Sequence, residues 1–210
     1  MAAVDEFFST LRREYGFIED GLVFKAEEIS LPKTLLPEEI QDDLINAVVA
    51  CHNGVYRMIP DAPEVVETSS NLSIVRTSEG LVEIQILVRS SSETMKMALA
   101  SELESTFALA GARVEFDGAY PGWEPNFKSD ILNLMKKIYP QVTGKEADVK
   151  MMHAGLECGI IGANYPGLDM ISFGPTIKHP HSPNEKVKIS TVETFWKLLV
   201  AVLENIPEKD

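Results

Sequence analysis

The spacing of apolar residues along the first part of the chain predicts an alternation of helices and strands. Apolar side chains recur at helical spacing in three predicted helices, which span residues 4–15, 37–51 and 93–110. Four predicted strands are rich in apolar and β-branched residues and span residues 22–29, 65–75, 81–88 and 112–116. The second and third strands form a hairpin around a Thr-Ser-Glu-Gly turn. From Leu22 the order is strand, helix, strand, strand, helix, strand, which is the ferredoxin-like βαββαβ pattern.

The composition of the sequence changes after Gly118, where the loop AYPGWEPNFKSD is rich in glycine, proline and aromatic residues. Such a loop is typical of a boundary, so we predict one domain over residues 1–118 and a second over 119–210.

The second domain is predicted to alternate between helices and strands, which indicates an α/β fold. The predicted helices span residues 130–139, 154–161 and 191–203, and the predicted strands span residues 149–152 and 168–173. Two strands are too few for a parallel sheet that is covered by helices on both faces. Either the sequence pattern misses strands or this segment belongs to a larger sheet whose other strands come from elsewhere, and we favour the second alternative.

Composition and charge narrow the class of protein. Of the 210 residues, 45% are hydrophobic, which is enough to build cores and is not typical of a disordered chain. The formal net charge of −13 argues against a nucleic-acid partner, because phosphate contacts need clustered lysine and arginine. Cys51 and Cys158 are too few for a disulfide framework and favour a reducing, cytoplasmic compartment. The apolar runs are too short to cross a bilayer and the N-terminus does not resemble a signal peptide, so we expect no membrane partner.

Histidines are concentrated between Lys150 and Glu185, which hold three of the four in the chain. His179 and His181 follow the predicted strand at 168–173, and loops at the carboxyl ends of parallel strands often form ligand sites. A histidine in a loop stiffened by proline can bind zinc. The alternative is an exposed histidine in a turn, and spacing alone favours this alternative because His-x-His supplies only part of a metal site.

Two further pairs of polar residues are candidates for ligand binding. His153 and Glu157 are four residues apart at the start of a predicted helix, so they are expected to share a face for binding or simply for packing. Asn71 and Arg89 lie on the two strands of the predicted hairpin. An arginine at a strand end can hold a carboxylate through two hydrogen bonds, or it can pair with a nearby glutamate at the surface. Spacing alone favours the structural alternatives for both pairs.

The run HAGLECGIIGANYPGLDMISFGPTIKHPHSPNEKVKIS closely resembles the C-terminal signature of aminoacyl-histidine dipeptidases. These are Xaa-His dipeptidases related to carnosinases, in the broader group that contains peptidase T and carboxypeptidase G. The resemblance continues upstream through NGVYRM, VETSSNLSIV, LVRSS and GAYPGWEPN, and it covers most of the chain from about Leu36 onward.

The resemblance implies an α/β catalytic domain with two zinc ions, interrupted by a ferredoxin-like lid domain. In such enzymes the metals activate a water molecule for attack on the peptide carbonyl, and a carboxylate acts as general base. By resemblance, His181 is a zinc ligand, whereas His179 is an additional imidazole without an assigned role. Asn71 and Arg89 resemble the lid residues that bind the substrate carboxylate or its polarised carbonyl. His153 and Glu157 match the family motif and are expected to line the substrate side.

The other family motifs are missing from this sequence. The HxD motif, the bridging aspartate, the Glu-Glu pair, a further carboxylate ligand and the Gly-Gly-His motif of the lid belong to an N-terminal portion that this chain does not contain. We therefore expect the C-terminal portion of a dipeptidase for Xaa-His dipeptides, with no catalytic residue of its own and no activity alone. Its expected partners are a dipeptide and either a second copy or the missing N-terminal half. The alternative is a non-catalytic module for dimerisation or ligand binding.

Overall fold

The computed structural model describes residues 2–78, 80–153 and 155–207. The helices of these residues are α1 (Ala2–Tyr15), α2 (Glu38–Ala50), α3 (Glu93–Leu109), α4 (Asp130–Thr143), α5 (Glu157–Asn164) and α6 (Ser190–Glu204). The strands are β1 (Gly54–Ile59), β2 (Ala62–Ser78), β3 (Leu81–Ser90), β4 (Ile177–Lys178) and β5 (Lys186–Val187). The chain divides into two compact units, residues 1–41 and 42–210. None of the helices in the described ranges is long and apolar enough to span a membrane.

The first unit is built around α1 and the segment that follows it. The ring of Phe24 packs against Phe7 and Phe8, with ring centroids 5.7 and 6.1 Å apart. The strand predicted at 22–29 is wrong, because these residues form neither helix nor strand. Ile29 is 86% exposed, so no sheet covers its side chain here. An apolar stretch becomes a strand only when a neighbouring strand pairs with its backbone.

The second unit contains a three-stranded antiparallel sheet in the order β1-β2-β3. The β2–β3 hairpin confirms the predicted hairpin and extends it at both ends. The sequence pattern missed β1, whose pairing with β2 shifts register at three points. Such irregularities interrupt the strict alternation of apolar and polar residues by which a strand is recognised.

One face of this sheet packs against α2 and α3. The buried core consists of Ala47, Cys51, Leu99, Leu103 and Phe107. Half-buried side chains from alternate positions of the strands, including Leu72, Ile84 and Ile86, pack against it. Ser92 caps the first turn of α3 by accepting a hydrogen bond from the backbone of Met95, as the serine run before the helix predicts.

The βαββαβ pattern predicted for residues 1–118 is not formed. The strand predicted at 112–116 is wrong, because this segment is irregular after α3. Its Val114 packs on the core, whereas Phe116 is 60% exposed. Alternating apolar residues therefore bury one side chain here without pairing the backbone. The described chain is a mixed α/β structure whose main sheet is an antiparallel meander.

The last part of the chain packs α4 against α6. Met135 and Ile138 of α4 meet Leu198 and Val202 of α6 in a second buried cluster, to which Ile171 and Phe173 are joined. The prediction that the first of these helices ends at residue 139 is wrong, because α4 continues through Pro140 to Thr143 and is capped by Gly144. Gly144 adopts the left-handed conformation (φ 70°) that commonly closes a helix.

Residues 149–152 and 168–173 were predicted as strands and are irregular in the structure. The described residues provide no neighbouring strand for either segment. The expectation that they belong to a larger sheet with strands from elsewhere stays a prediction.

A tightly packed junction joins the end of the hairpin, the loop at 120–122 and α5. A Cβ atom on the buried Gly159 of α5 would overlap the carbonyl oxygen of Pro121. Lys96 of α3 donates a hydrogen bond of 2.7 Å to the carbonyl oxygen of Tyr120. Only glycine permits this approach of α5 to the loop.

Candidate functional site

Two of the predicted site residues, Asn71 and Arg89, lie on the β2–β3 hairpin, near the end away from its turn. Ser69 of β2 is paired directly with Arg89 of β3, and Asn71 is paired with Leu87. Because side chains alternate across a strand, Ser69 and Asn71 emerge on the same face, about 7 Å apart along the strand. The opposite face carries Leu72, Ile86 and Val88 against the helical core. The hairpin therefore presents a polar face away from its core.

His153 is brought onto this polar face by a hydrogen bond. Its Nε2 atom lies 2.6 Å from the Oγ atom of Ser69. Partial burial lowers the pKa of His153, the positive charge of Arg89 lowers it further, and a hydrogen bond with the Val66 backbone opposes the change. The lowered pKa favours the neutral form of the imidazole.

Arg89 has no carboxylate partner among the described residues. The alternative of a surface ion pair is not observed for it, since Glu67 on the same sheet pairs instead with Arg57 at 3.4 Å. Arg89 is exposed beside the neutral imidazole of His153. A free guanidinium with a neutral neighbour forms a positively charged site that can hold a carboxylate through two parallel hydrogen bonds.

Asn71 extends this site along β2. Its amide is exposed and donates a hydrogen bond of 3.3 Å to the Oγ atom of Ser73. Rotation of the side chain would exchange this local bond for one to a ligand. Asn71 and Arg89 thus offer an amide and a guanidinium on one face of the hairpin.

Glu157 is the first residue of α5 and its side chain is exposed. The expectation that His153 and Glu157 share a helical face is wrong, because α5 begins at Glu157 and His153 lies in a bend before it. The predicted helix start, Ala154, lies outside the described residues. No hydrogen bond or ion pair within the described ranges joins Glu157 to the hairpin.

The loop between β4 and β5 holds His179 and His181. Both residues adopt left-handed backbone conformations, with φ of 54° and 60°, which is uncommon for residues other than glycine. The His181 backbone N–H donates to the Glu185 carboxylate at 2.8 Å, and the Ser182 hydroxyl donates to the His179 carbonyl oxygen at 2.8 Å. These bonds fix the loop backbone and leave both imidazoles exposed.

A complete metal site is not formed by the part of the chain that the structure describes. No three His, Cys, Asp or Glu side chains in residues 2–78, 80–153 and 155–207 converge to hold an ion. Catalytic zinc sites use three protein ligands. The residues present therefore do not fit a zinc ion, and no contact brings His181 to the hairpin site.

Ser69 is the site residue that sequence reasoning did not single out. Its position two residues before Asn71 was the available signal, because strand alternation places both on one face. Its contact with His153 joins residues that are distant in sequence, and no spacing rule predicts such a contact.

The comparison with protein families matches the description "Peptidase family M20/M25/M40" over residues 18–205. The chain belongs to this peptidase family. This assignment confirms the resemblance seen in the sequence.

Two relatives place this M20 chain within the family. It is 38% identical over 206 residues to the cytosol non-specific dipeptidase of Escherichia coli (strain K12), covering 98% of this chain and 42% of that protein. It is 43% identical to the crystallised aminoacylhistidine dipeptidase of Vibrio alginolyticus, with a TM-score of 0.87, covering 98% of this chain and 42% of that chain. The M20 chain thus spans about two fifths of the length of these relatives.

Proposed function

We propose that this M20 chain is the carboxylate-binding part of a cytoplasmic, metal-dependent dipeptidase that hydrolyses Xaa-His dipeptides. The observation that carries the proposal is the exposed Arg89, without a carboxylate partner among the described residues, beside the neutral imidazole of His153. A dipeptide ends in a carboxylate, which is the group that a free guanidinium binds best. The printed names of both relatives describe dipeptidases.

Each candidate residue has a separate role in this proposal. Arg89 holds the C-terminal carboxylate of the substrate. Asn71 donates to the carbonyl oxygen of the scissile peptide. His153, which is hydrogen-bonded to Ser69, lies beside Arg89 without adding a positive charge. Glu157 lines the substrate side at the start of α5.

Zinc and the general base belong, in this proposal, to the complete family protein. The described residues do not fit a metal ion, so no step of hydrolysis is assigned to this chain. His181 is its one candidate ligand. We expect the isolated chain to show no turnover of carnosine in the presence of zinc, and robust turnover by the pure chain would contradict this expectation.

The carboxylate site can be tested by calorimetric titration of the chain with carnosine and with carnosine amide, which lacks the carboxylate. We expect binding of carnosine and loss of at least tenfold in affinity for the amide, because a hydrogen bond to a charged group contributes about 1.5–3 kcal/mol. Arg89→Ala should cause a similar loss. Arg76→Ala, on the same hairpin, is the matched control and should bind as the wild type does. Equal affinity for the amide and the acid would refute the proposal.

A second candidate function is a non-catalytic module for dimerisation. The outer edge of β3 pairs with no other strand of the described sheet, and Leu81 on this strand is 69% exposed. Such an edge can pair with a second copy. Size-exclusion chromatography together with the carnosine titration separates the two candidates, since a stable dimer without carnosine binding favours the module.

A further inference from the structure

Ser69 lies beside two of the candidate site residues on the polar face of the hairpin. It is paired directly with Arg89 on the neighbouring strand, and it stands two residues before Asn71 on its own strand. The Cβ atoms of directly paired residues are about 5 Å apart, and residues two apart along a strand are separated by about 7 Å. The Ser69 hydroxyl is therefore close to both a guanidinium and a side-chain amide.

The direction of the Ser69–His153 hydrogen bond follows from the other contact of the imidazole. The hydrogen bond between the ring and the Val66 backbone raises the pKa of His153, so it favours a protonated nitrogen and the Val66 carbonyl oxygen is the acceptor. A neutral imidazole carries a single proton on its two nitrogens. With that proton directed at Val66, Nε2 has only a lone pair, and the Ser69 hydroxyl donates to it at 2.6 Å.

This donation determines what Ser69 can offer to a ligand. A hydroxyl has one proton to donate and two lone pairs that accept. The proton is used by His153, and among the described residues the Ser69 Oγ atom has no other hydrogen-bond partner. Ser69 is half-buried, so the imidazole covers it only in part. The Ser69 oxygen is therefore a hydrogen-bond acceptor next to Arg89.

A dipeptide carries complementary groups in the same order. The Cα atom that bears its C-terminal carboxylate also bears the peptide nitrogen, and the peptide carbonyl follows. In a trans peptide the N–H and the C=O point in opposite directions, so an acceptor and a donor about 7 Å apart can bind both. We propose that Ser69 Oγ accepts the peptide N–H of a dipeptide whose carboxylate is bound by Arg89 and whose carbonyl oxygen is bound by Asn71. This inference rests on the proposed dipeptide site and adds a requirement for the peptide N–H.

Replacement of the peptide N–H by an ester oxygen tests this contact. The whole chain is titrated by calorimetry with carnosine and with its ester analogue, which keeps the carboxylate and the shape of the dipeptide. We expect the ester to bind at least about fivefold more weakly, which is the size expected for one neutral hydrogen bond. Equal affinities for the two ligands overturn the Ser69 contact and leave the Arg89 site intact. Absence of carnosine binding overturns the proposed function, and this inference with it.

Variants at position 69 assign the difference to this side chain. Ser69→Ala should bind carnosine about fivefold more weakly and should distinguish it less from the ester. Ser69→Thr keeps the hydroxyl and suits a strand, so it should bind carnosine as the wild type does. Thr77→Ala removes an exposed hydroxyl from the same strand and is the control, with the wild-type affinity expected. Full discrimination against the ester by Ser69→Ala overturns the proposal.

The position of the His153 proton can be measured without a ligand. The chemical shifts of the ring nitrogens in NMR identify the tautomer, and we expect a protonated Nδ1 and an unprotonated Nε2 in the neutral ring. A proton on Nε2 would make Ser69 the acceptor of the bond with His153 and leave its hydroxyl free to donate, which overturns the proposal. This measurement and the ester comparison use the wild type, so they decide even if Ser69→Ala does not fold.

Discussion

Replacement of Gly159 by alanine tests how closely α5 is packed against the loop at 120–122. A Cβ atom at this position would overlap the Pro121 carbonyl oxygen and lie 3.1 Å from that of Gly122. Both obstacles are backbone atoms, so the helix or the loop has to shift. Forcing an extra methyl group into such a site costs about 1–3 kcal/mol, whereas alanine gains about 1 kcal/mol over glycine inside a helix. We therefore expect a net loss of up to about 2 kcal/mol in the free energy of unfolding.

Gly162 provides a matched control on the same helix. A Cβ atom there would lie 3.1 Å from the terminal methyl carbon of Met170, at the flexible end of a side chain. Gly162→Ala should therefore keep most of the helix-propensity gain of about 1 kcal/mol. Urea unfolding followed by circular dichroism measures both variants. If the two substitutions change stability equally, the close approach of α5 to the loop is refuted.

Three further predictions concern the pKa of His153, the hydrogen bonds of Asp169 at the start of α4 and the core around α3. Arg89→Gln removes a charge that lowers the pKa of His153, so this pKa should rise in an NMR titration. An unchanged pKa would show that the charge of Arg89 does not act on His153. Although partial burial opposes it, hydrogen bonds from the start of α4 lower the pKa of Asp169, so Asp169→Asn should cost about 0.5 kcal/mol at neutral pH. The stability difference between Asp169→Asn and the wild type should disappear as the pH falls below 3.8, the ordinary pKa of the carboxyl group, and through the lower pKa of the folded state. Urea unfolding at several pH values measures this difference. Leu99→Ala should destabilise the fully buried α3 core by about 3–5 kcal/mol, whereas Leu109→Ala, 90% exposed on the same helix, should change stability little.

Local patterns predicted the helices and the hairpin because both depend on neighbouring residues. The alternation in β3 reports a single half-buried face. The apolar stripe of α2 predicted the helix but not its burial, since Ala47 is its buried residue and Val49 is 80% exposed. The strands predicted at 22–29 and 112–116 failed because strand formation requires a partner that sequence periodicity does not reveal. The helix end predicted before Pro140 lies too early, because the last turn of α4 includes this proline.

The sequence named candidate residues for the site but not their arrangement. The resemblance supplied Asn71, Arg89 and His153, and the structure adds that His153 reaches Arg89 through Ser69. That contact depends on how the bend before α5 meets the hairpin, which is a tertiary property. His181 stays a prediction, because no second ligand lies near it among the described residues.

The strand β2 carries core and site on alternate residues. Thr68 and Ser70 are buried on one side, while Ser69 and Asn71 serve the polar face. A shift of one residue in the pairing of β2 with β3 would exchange these two sets. Insertions or deletions in β2 near the candidate site should therefore preserve the pairing only when they involve two residues. A single inserted residue should be tolerated only beyond the register shift between Leu72 and Ile74, towards the tip of the hairpin. The pairing register of β2 with β3 therefore limits which changes of length the candidate site could accept.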